Sequence, residues 1–266
     1  MAGRGRQVKI LHTSDVHLDA YTLPHVALAH EKRDKILAAF RRVIDLALAE
    51  EVDLMVIAGD FFDSSRAPEE VLEFAVQQLR RLSAPVVILP GNHDCLAHNS
   101  VYRRVDFPRQ CSNVHVIGDD RGELLTFSEL DLALWGRANL DPPMLKPLEG
   151  LPPRGPQRWQ VALAHGHLLL PQRHIMTSLP ITVEEIAASG VDYLALGHWE
   201  FFQDVSTPPV VACYSGAPMP LMPGLEDKGR VVLVHLEDGQ GARAEPVELS
   251  KQLERSGRGS GKASAP

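Results

Sequence analysis

No stretch of this 266-residue chain approaches the roughly 18 consecutive apolar residues that a membrane-spanning helix needs. The basic start, Met-Ala-Gly-Arg-Gly-Arg, is not followed by the apolar segment of an export signal. We therefore expect a soluble, unanchored chain with no membrane partner. Cysteine is scarce: Cys95, Cys111 and Cys213 are an odd set without metal-finger spacing, which predicts free, inert thiols in a reducing cytoplasm. A basic excess is missing too. With 27 Lys and Arg against 34 Asp and Glu, the formal charge of −7 argues against a protein that holds DNA mainly through a broad basic surface, and leaves room only for a local basic strip. There is no convincing internal repeat.

What is present is an ordinary globular composition, 44% hydrophobic and 23% charged, long enough for one large core. We expect a single domain over residues 1–253. From there the chain is Ser, Gly, Arg, Lys and Ala, which buries too little apolar surface to order itself, so residues 254–266 are expected to be a disordered tail.

The stretch Leu54-Met-Val-Ile-Ala-Gly-Asp60-Phe-Phe-Asp63 organises the rest. Five apolar residues ending in Gly-Asp predict a parallel strand buried on both faces, with a carboxylate at the sheet edge where open α/β sheets bind ligands. Glycine lets the chain turn sharply there, and a carboxylate so placed either bridges two metal ions or caps the next helix. Val8 to His12 predicts an earlier strand, followed by Thr13-Ser-Asp15-Val-His17. Residues 31–50 carry Ile36, Leu37, Phe40, Val43, Ile44, Ala47 and Leu48 at helical spacing. Pro68 to Leu82 predicts a second helix, acidic at its start and with Arg80 and Arg81 near its end.

Pro85 to Leu89 predicts a third buried strand, running into Gly91-Asn92-His93-Asp94. Glycine followed by three coordinating residues after such a strand is hard to explain by packing. Val114 to Ile117, Leu132 to Trp135 and Val161 to Ala164 are further strands, the last leading to His165-Gly-His167. Between the latter two, Asp141 to Arg158 holds six prolines and predicts an irregular surface excursion without chemistry. Val183 to Ser189 predicts a short helix, and Tyr193 to Leu196 a strand that delivers Gly197-His198-Trp199-Glu200. Pro209 to Tyr214 and Arg230 to Leu236 follow, the latter expected to finish a second sheet.

Five strand ends thus carry ligand-type residues: Asp15 with His17, Asp60, Asn92 with His93, His165, and His198. A mixed nitrogen and oxygen cluster around a central aspartate suits two divalent ions about 3.5–4 Å apart that share a carboxylate and a water, lower that water's pKa and neutralise phosphoryl charge.

These motifs resemble those of the calcineurin-like metallophosphoesterases: Asp15-Val-His17, Gly59-Asp60-Phe-Phe-Asp63, Gly91-Asn92-His93-Asp94, His165, and Gly197-His198. Within that superfamily the chain looks most similar to the SbcD-type nuclease subunit of double-strand-break repair, through Leu11 to Leu18, Gly59 to Arg66, Ala195 to His198 and Tyr214 to Pro218. The resemblance implies a four-layer α/β/β/α sandwich and two divalent ions, manganese first, with magnesium, iron or zinc as alternatives. It implies one metal on Asp15, His17, Asp60 and residue 200, and the other on Asp60, Asn92, His165 and His198. It implies catalysis by His93, which protonates the leaving oxygen or stabilises the transition state, with Asp94 as its orienting partner. Asp63 either supports the site from behind or caps a helix. His167 competes with His165, and the histidine that directly ends the strand is preferred.

The resemblance further implies a phosphate-ester substrate, with nucleic acid among the candidates, and a homodimer or an ATPase partner. The expected activity is phosphodiester hydrolysis, exonuclease-like or on a small diester. The alternatives are a phosphomonoesterase or pyrophosphohydrolase, and a non-catalytic scaffold with an impaired metal site. Two departures stand out. The last histidine of the family pattern is Glu200 here, which either ligates as a harder oxygen donor, favouring manganese or magnesium, or leaves the first metal weakly held. Only a short stretch separates the Tyr214 strand from the tail, where SbcD-type nucleases carry a capping domain. Trp199 either packs or stacks on a flat substrate group. The other histidines, His12, His25, His30, His98, His115, His174 and His235, are read as surface or satisfied core.

Overall fold

The computed structural model describes residues 7–21, 27–140, 146–169, 179–225 and 228–249. The expected tail over 254–266 lies outside them, as do His25 and His174. In chain order the elements begin with β1 (Val8–Thr13), α1 (Ala27–Ala49), β2 (Leu54–Ala58), α2 (Glu69–Leu79), β3 (Val86–Leu89), α3 (Val101–Arg104), α4 (Phe107–Gln110) and β4 (Val114–Val116). Next come β5 (Glu123–Phe127), β6 (Leu132–Gly136), β7 (Trp159–His165), β8 (His167–Leu169), β9 (Pro180–Thr182) and α5 (Val183–Ala188). They are followed by β10 (Tyr193–Gly197), β11 (Gln203–Asp204), β12 (Val211–Tyr214), β13 (Arg230–Glu237) and β14 (Gly241–Glu248).

Side-chain alternation along the buried strands builds the layers. In β2, Leu54, Val56 and Ala58 face a core shared with the second sheet, while Met55 and Ile57 face the helices α1 and α2. Strand β10 does the same from the other side: Tyr193 and Ala195 point into the shared core, Leu194 and Leu196 towards α5. The result is the expected α/β/β/α sandwich. Each large side chain so buried contributes about 2 kcal/mol of transfer free energy, which offsets the entropy of ordering the strands.

One sheet has the order β14-β13-β1-β2-β3-β4, the other β11-β12-β10-β7-β6-β5. Strands β1 to β4 are parallel, and so are β12, β10, β7 and β6, so the C-terminal ends of both parallel blocks lie at one edge. Arg230 to Leu236 does not finish the second sheet. As β13 it pairs antiparallel with β1 in the first sheet, and its hairpin partner β14 forms that sheet's outer edge. Strand β14 escapes sequence reading because it contains Gly, Arg, Glu and Pro and alternates in exposure, as an edge strand does. Helix α2 stops at Leu79, so Arg80 caps it and Arg81 lies beyond, each bonded to another element. Residues 146–158 form neither helix nor strand, as expected for the proline-rich excursion.

Candidate metal centre

At the common edge the backbone leaves the strands in a conformation that side-chain-bearing residues rarely adopt. Asp15, His17, Asp60 and His198 all have positive φ, at 52°, 49°, 52° and 107°. Each such residue costs of order 1–3 kcal/mol and persists only where its surroundings hold it. Here Asp15 N–H donates to Gly59 O at 3.0 Å and His17 N–H to Asp60 O at 3.1 Å, which locks the β1 and β2 loops together. The gain is direction: the turns aim four polar side chains inward from an apolar sheet. Gly59, with φ of 92°, has no room for a Cβ because the His165 imidazole occupies that space, and Gly91 packs in the same way on the Asp60 carboxylate.

The inward groups form two clusters that share Asp60, and a third group, His17, Asp63 and His93, overlaps the first at His17. Asp15, His17 and Asp60 make the first, and Asp60, His165 and His198 the second. Asp60 Oδ2 lies 3.2 Å from His165 Nε2 and 3.9 Å from His17 Nε2, while Oδ1 accepts the His93 N–H at 2.9 Å. Asn92 Oδ1 lies 3.0 Å from His165 Nε2 and 3.1 Å from His198 Nδ1. His165 is buried, and its Nδ1 meets the Ala58 carbonyl at 2.9 Å, so Nδ1 carries a proton. Its Nε2 lone pair then faces two oxygens, Asp60 Oδ2 and Asn92 Oδ1. Three electron-rich atoms converging in a buried place call for a cation between them, either a proton or a metal. The donor set therefore fits divalent ions.

Electrostatics point the same way. Burial works against a charged His165, but the Asp60 carboxylate outweighs it and lifts the imidazole to about 9. Burial would likewise raise the Asp60 carboxyl, yet the charges of His165, His17 and His93 hold it well below the usual carboxylate range. His198 is driven down to about 4 by burial and by the neighbouring His165, so it stays neutral and able to ligate.

Two expected roles are exchanged. Asp94 does not orient His93; it is buried and accepts from the Gly91 N–H at 2.7 Å, the Phe61 and Phe62 N–H groups at 2.8 and 3.1 Å, and the Tyr102 hydroxyl at 2.6 Å. Three backbone donors and a phenol claim both of its oxygens, so it fastens the β2 loop to the β3 loop. His93 turns instead to Asp63, whose Oδ1 lies 3.4 Å and whose carbonyl lies 3.2 Å from Nδ1. The same Oδ1 is 3.1 Å from His17 Nδ1. Asp63 caps no helix, because the N-cap of α2 is Pro68. The Asp63 contact pushes His93 up to about 9 against the opposing effect of burial. Sequence reading missed Asp19, which accepts from the Asp63 N–H at 2.6 Å and from the Ser64 hydroxyl at 2.8 Å and so holds Asp63 in place.

Glu200 stands apart from both clusters. Its Oε2 accepts from the Leu221 N–H at 2.5 Å and the Met222 N–H at 3.0 Å, so the carboxylate secures the 221–222 turn instead of joining Asp15 and His17. Two backbone donors satisfy its charge locally, and nothing in the local sequence announces them. His167 also stays out of the clusters: its Nδ1 receives the Trp199 indole N–H at 3.3 Å. Of the remaining histidines, His12 is a buried core residue but only half satisfied: its Nδ1 bonds to the Tyr193 hydroxyl at 2.7 Å, while its Nε2 has no hydrogen-bond partner among the described residues. None of the three cysteines forms a disulfide, and no helix among the described residues is long and apolar enough to cross a membrane.

A metallophosphoesterase of Bacillus subtilis, YhaO, itself uncharacterized, is 26% identical over 217 residues, covering 77% of this chain and 52% of its own length. The DNA double-strand break repair protein Mre11 of Aeropyrum pernix is 38% identical over 91 residues, or 32% of this chain and 21% of that protein. The chain thus spans about half the length of the first relative and far less of the second. In fold it is similar to a dimetal phosphatase from Danio rerio, at a TM-score of 0.55 and 11% identity over 91% of this chain and 99% of that one. It is also similar to TT1561 of Thermus thermophilus, at 0.53 and 9% identity over 92% of this chain and all of that one. The calcineurin-like phosphoesterase model matches residues 8–199, which hold every residue of the two clusters, and the chain belongs to that family.

Proposed function

We propose that the chain is a metal-dependent phosphodiesterase whose two ions, manganese first, are held by Asp15, His17 and Asp60 on one side and by Asp60, Asn92, His165 and His198 on the other. The observation that carries this reading is the sharing of Asp60 between two clusters that otherwise have no member in common. When bound, such ions neutralise phosphoryl charge and acidify a water for attack on phosphorus. The residues of the chain do the rest. Asp60 and Asn92 keep the imidazoles of His165 and His198 aimed inward. Asp63 holds His93 through Nδ1, which leaves Nε2 to carry the proton for the leaving oxygen.

The relatives named for DNA repair make a DNA strand one candidate diester. Against a basic strip, several surface arginines are engaged locally: Arg81 with Asp45, Arg80 with the Gln110 carbonyl, and Arg104 with the Ala67 carbonyl. A small or single nucleotide diester fits this surface better. The test is turnover of bis-p-nitrophenyl phosphate against p-nitrophenyl phosphate by the manganese-loaded chain. The bis-ester is expected to have the higher kcat/KM, and chelation to stop both reactions; preference for the monoester, or turnover that survives chelation, refutes the reading.

The Asp63 contact predicts a pH effect. An acid must hold its proton, and Asp63 raises the affinity of His93 for it. Asp63→Asn removes that support without changing shape, so the alkaline limb of the kcat profile should move to lower pH. An unmoved limb would show that Asp63 does not position the acid.

A further inference from the structure

The aromatic residues beside the second cluster form an ordered column. Tyr214, fully buried, donates its hydroxyl to the Gly166 carbonyl at 2.9 Å, next to His165. Trp199 stacks on Tyr214, with ring centroids 4.4 Å apart and planes at 18°, and Phe201 stacks with Trp199 at 5.3 Å and 24°. Trp199 therefore has two stacked ring partners, which makes it a packing residue, and Phe201 is the exposed plate. The column adjoins the metal centre through His167, whose ring meets Trp199 edge-on at 5.5 Å and His198 at 6.0 Å.

The outer plate is held firmly yet left open. Phe201 is 41% exposed, and Met222, on the turn fastened by the Glu200 carboxylate, is 47% exposed. These are two of the five large apolar side chains exposed among the described residues, and both sit on segments that Glu200 ties together. The Ala217 N–H further fixes this backbone by donating to Glu200 O at 3.1 Å. A single exposed phenylalanine needs no explanation. An exposed ring at the end of a stack that leads through Trp199 and His167 to a cluster suited to phosphate chemistry is preorganised for one kind of partner: a flat π-system carried by the phosphate.

We infer that Phe201 is a specificity-determining residue that stacks the nucleobase of a nucleotide phosphodiester whose phosphate sits at the Asp60 clusters. This rests on the phosphodiesterase reading and narrows its substrate class. A stacked base is worth enough for about a tenfold change in affinity.

The experiment compares thymidine 5′-(p-nitrophenyl phosphate) with methyl p-nitrophenyl phosphate on the manganese-loaded chain. Both release the same phenolate, and only the first carries a base. For Phe201→Ala the preference in kcat/KM for the nucleoside ester should fall about tenfold, mainly through KM, and Phe201→Trp should restore it. Phe201→Leu, which keeps apolar bulk without a flat face, should behave like the alanine variant and guards against a folding defect. An equal effect of each substitution on both esters overturns the inference.

Calorimetric titration with thymidine 5′-monophosphate and with inorganic phosphate separates this inference from the catalytic reading. Weakening of the nucleotide alone by Phe201→Ala supports the subsite even if no ester is hydrolysed, and equal affinity for the two ligands in the unmodified chain overturns it even if both esters are. Oligothymidylate in a third titration identifies the source of the base. Binding tighter than the mononucleotide assigns a strand and equal binding a free nucleotide, provided that Phe201→Ala weakens it; insensitivity to that substitution overturns the inference.

Discussion

Asp60→Asn is expected to reduce diester turnover by about a thousandfold or more and to lower the metal content of the purified chain in both clusters at once. The size of the effect follows from position. Asp60 is the residue common to Asp15–His17–Asp60 and Asp60–His165–His198, so removing its charge weakens both sites, whereas losing His17 or His198 affects one. Asparagine keeps the shape and one oxygen, and a correctly turned amide still accepts the His93 N–H. What it loses is the negative charge that holds His165 and His17. Elemental analysis after gel filtration, beside circular dichroism to verify folding, reads the result. Retention of two ions per chain together with near-normal turnover would sink the shared-carboxylate arrangement.

Asp94→Ala is expected to act on stability, costing about 4 kcal/mol and roughly 10 °C in Tm. Three backbone N–H groups and the Tyr102 hydroxyl lose their acceptor together, in surroundings formed by the buried rings of Phe61, Phe62 and Phe107. Water has little access there, so the donors are left unsatisfied. The two loops that carry Asp60 and Asn92 would also come apart, and activity would fall as a consequence. Had Asp94 served only to orient His93, the same substitution would slow catalysis and leave the melting temperature unchanged. Thermal denaturation of the metal-free chain distinguishes the two cases, and an unaltered midpoint would refute the structural role.

Much of the architecture was legible in the residues because burial on both faces imposes an uninterrupted apolar run. Leu54 to Ala58, Val161 to Ala164 and Tyr193 to Leu196 announce themselves in this way, and glycine just past such a run marks where the chain must turn. Edge strands lack that signature. Strand β14 alternates between exposed and half-buried residues, β11 has two exposed residues, and neither differs in sequence from an ordinary loop. The affiliation of β13 was misread for a related reason: an apolar strand states that it is buried, not which sheet it joins.

The sequence by itself determined which side chains reach the common edge, since strand length and period bring Asp15, His17, Asp60, Asn92, His93, His165 and His198 to strand ends whatever lies beyond. Only the tertiary structure decided what each carboxylate and ring meets there. Asp63 rather than Asp94 faces His93, Glu200 turns to amides about twenty residues further on, and Phe201 becomes the open end of the stack. The reason is physical: once past the end of a strand, a side chain's direction depends on the local backbone angles and on donors supplied by distant segments, and neither is encoded in the spacing of neighbouring residues.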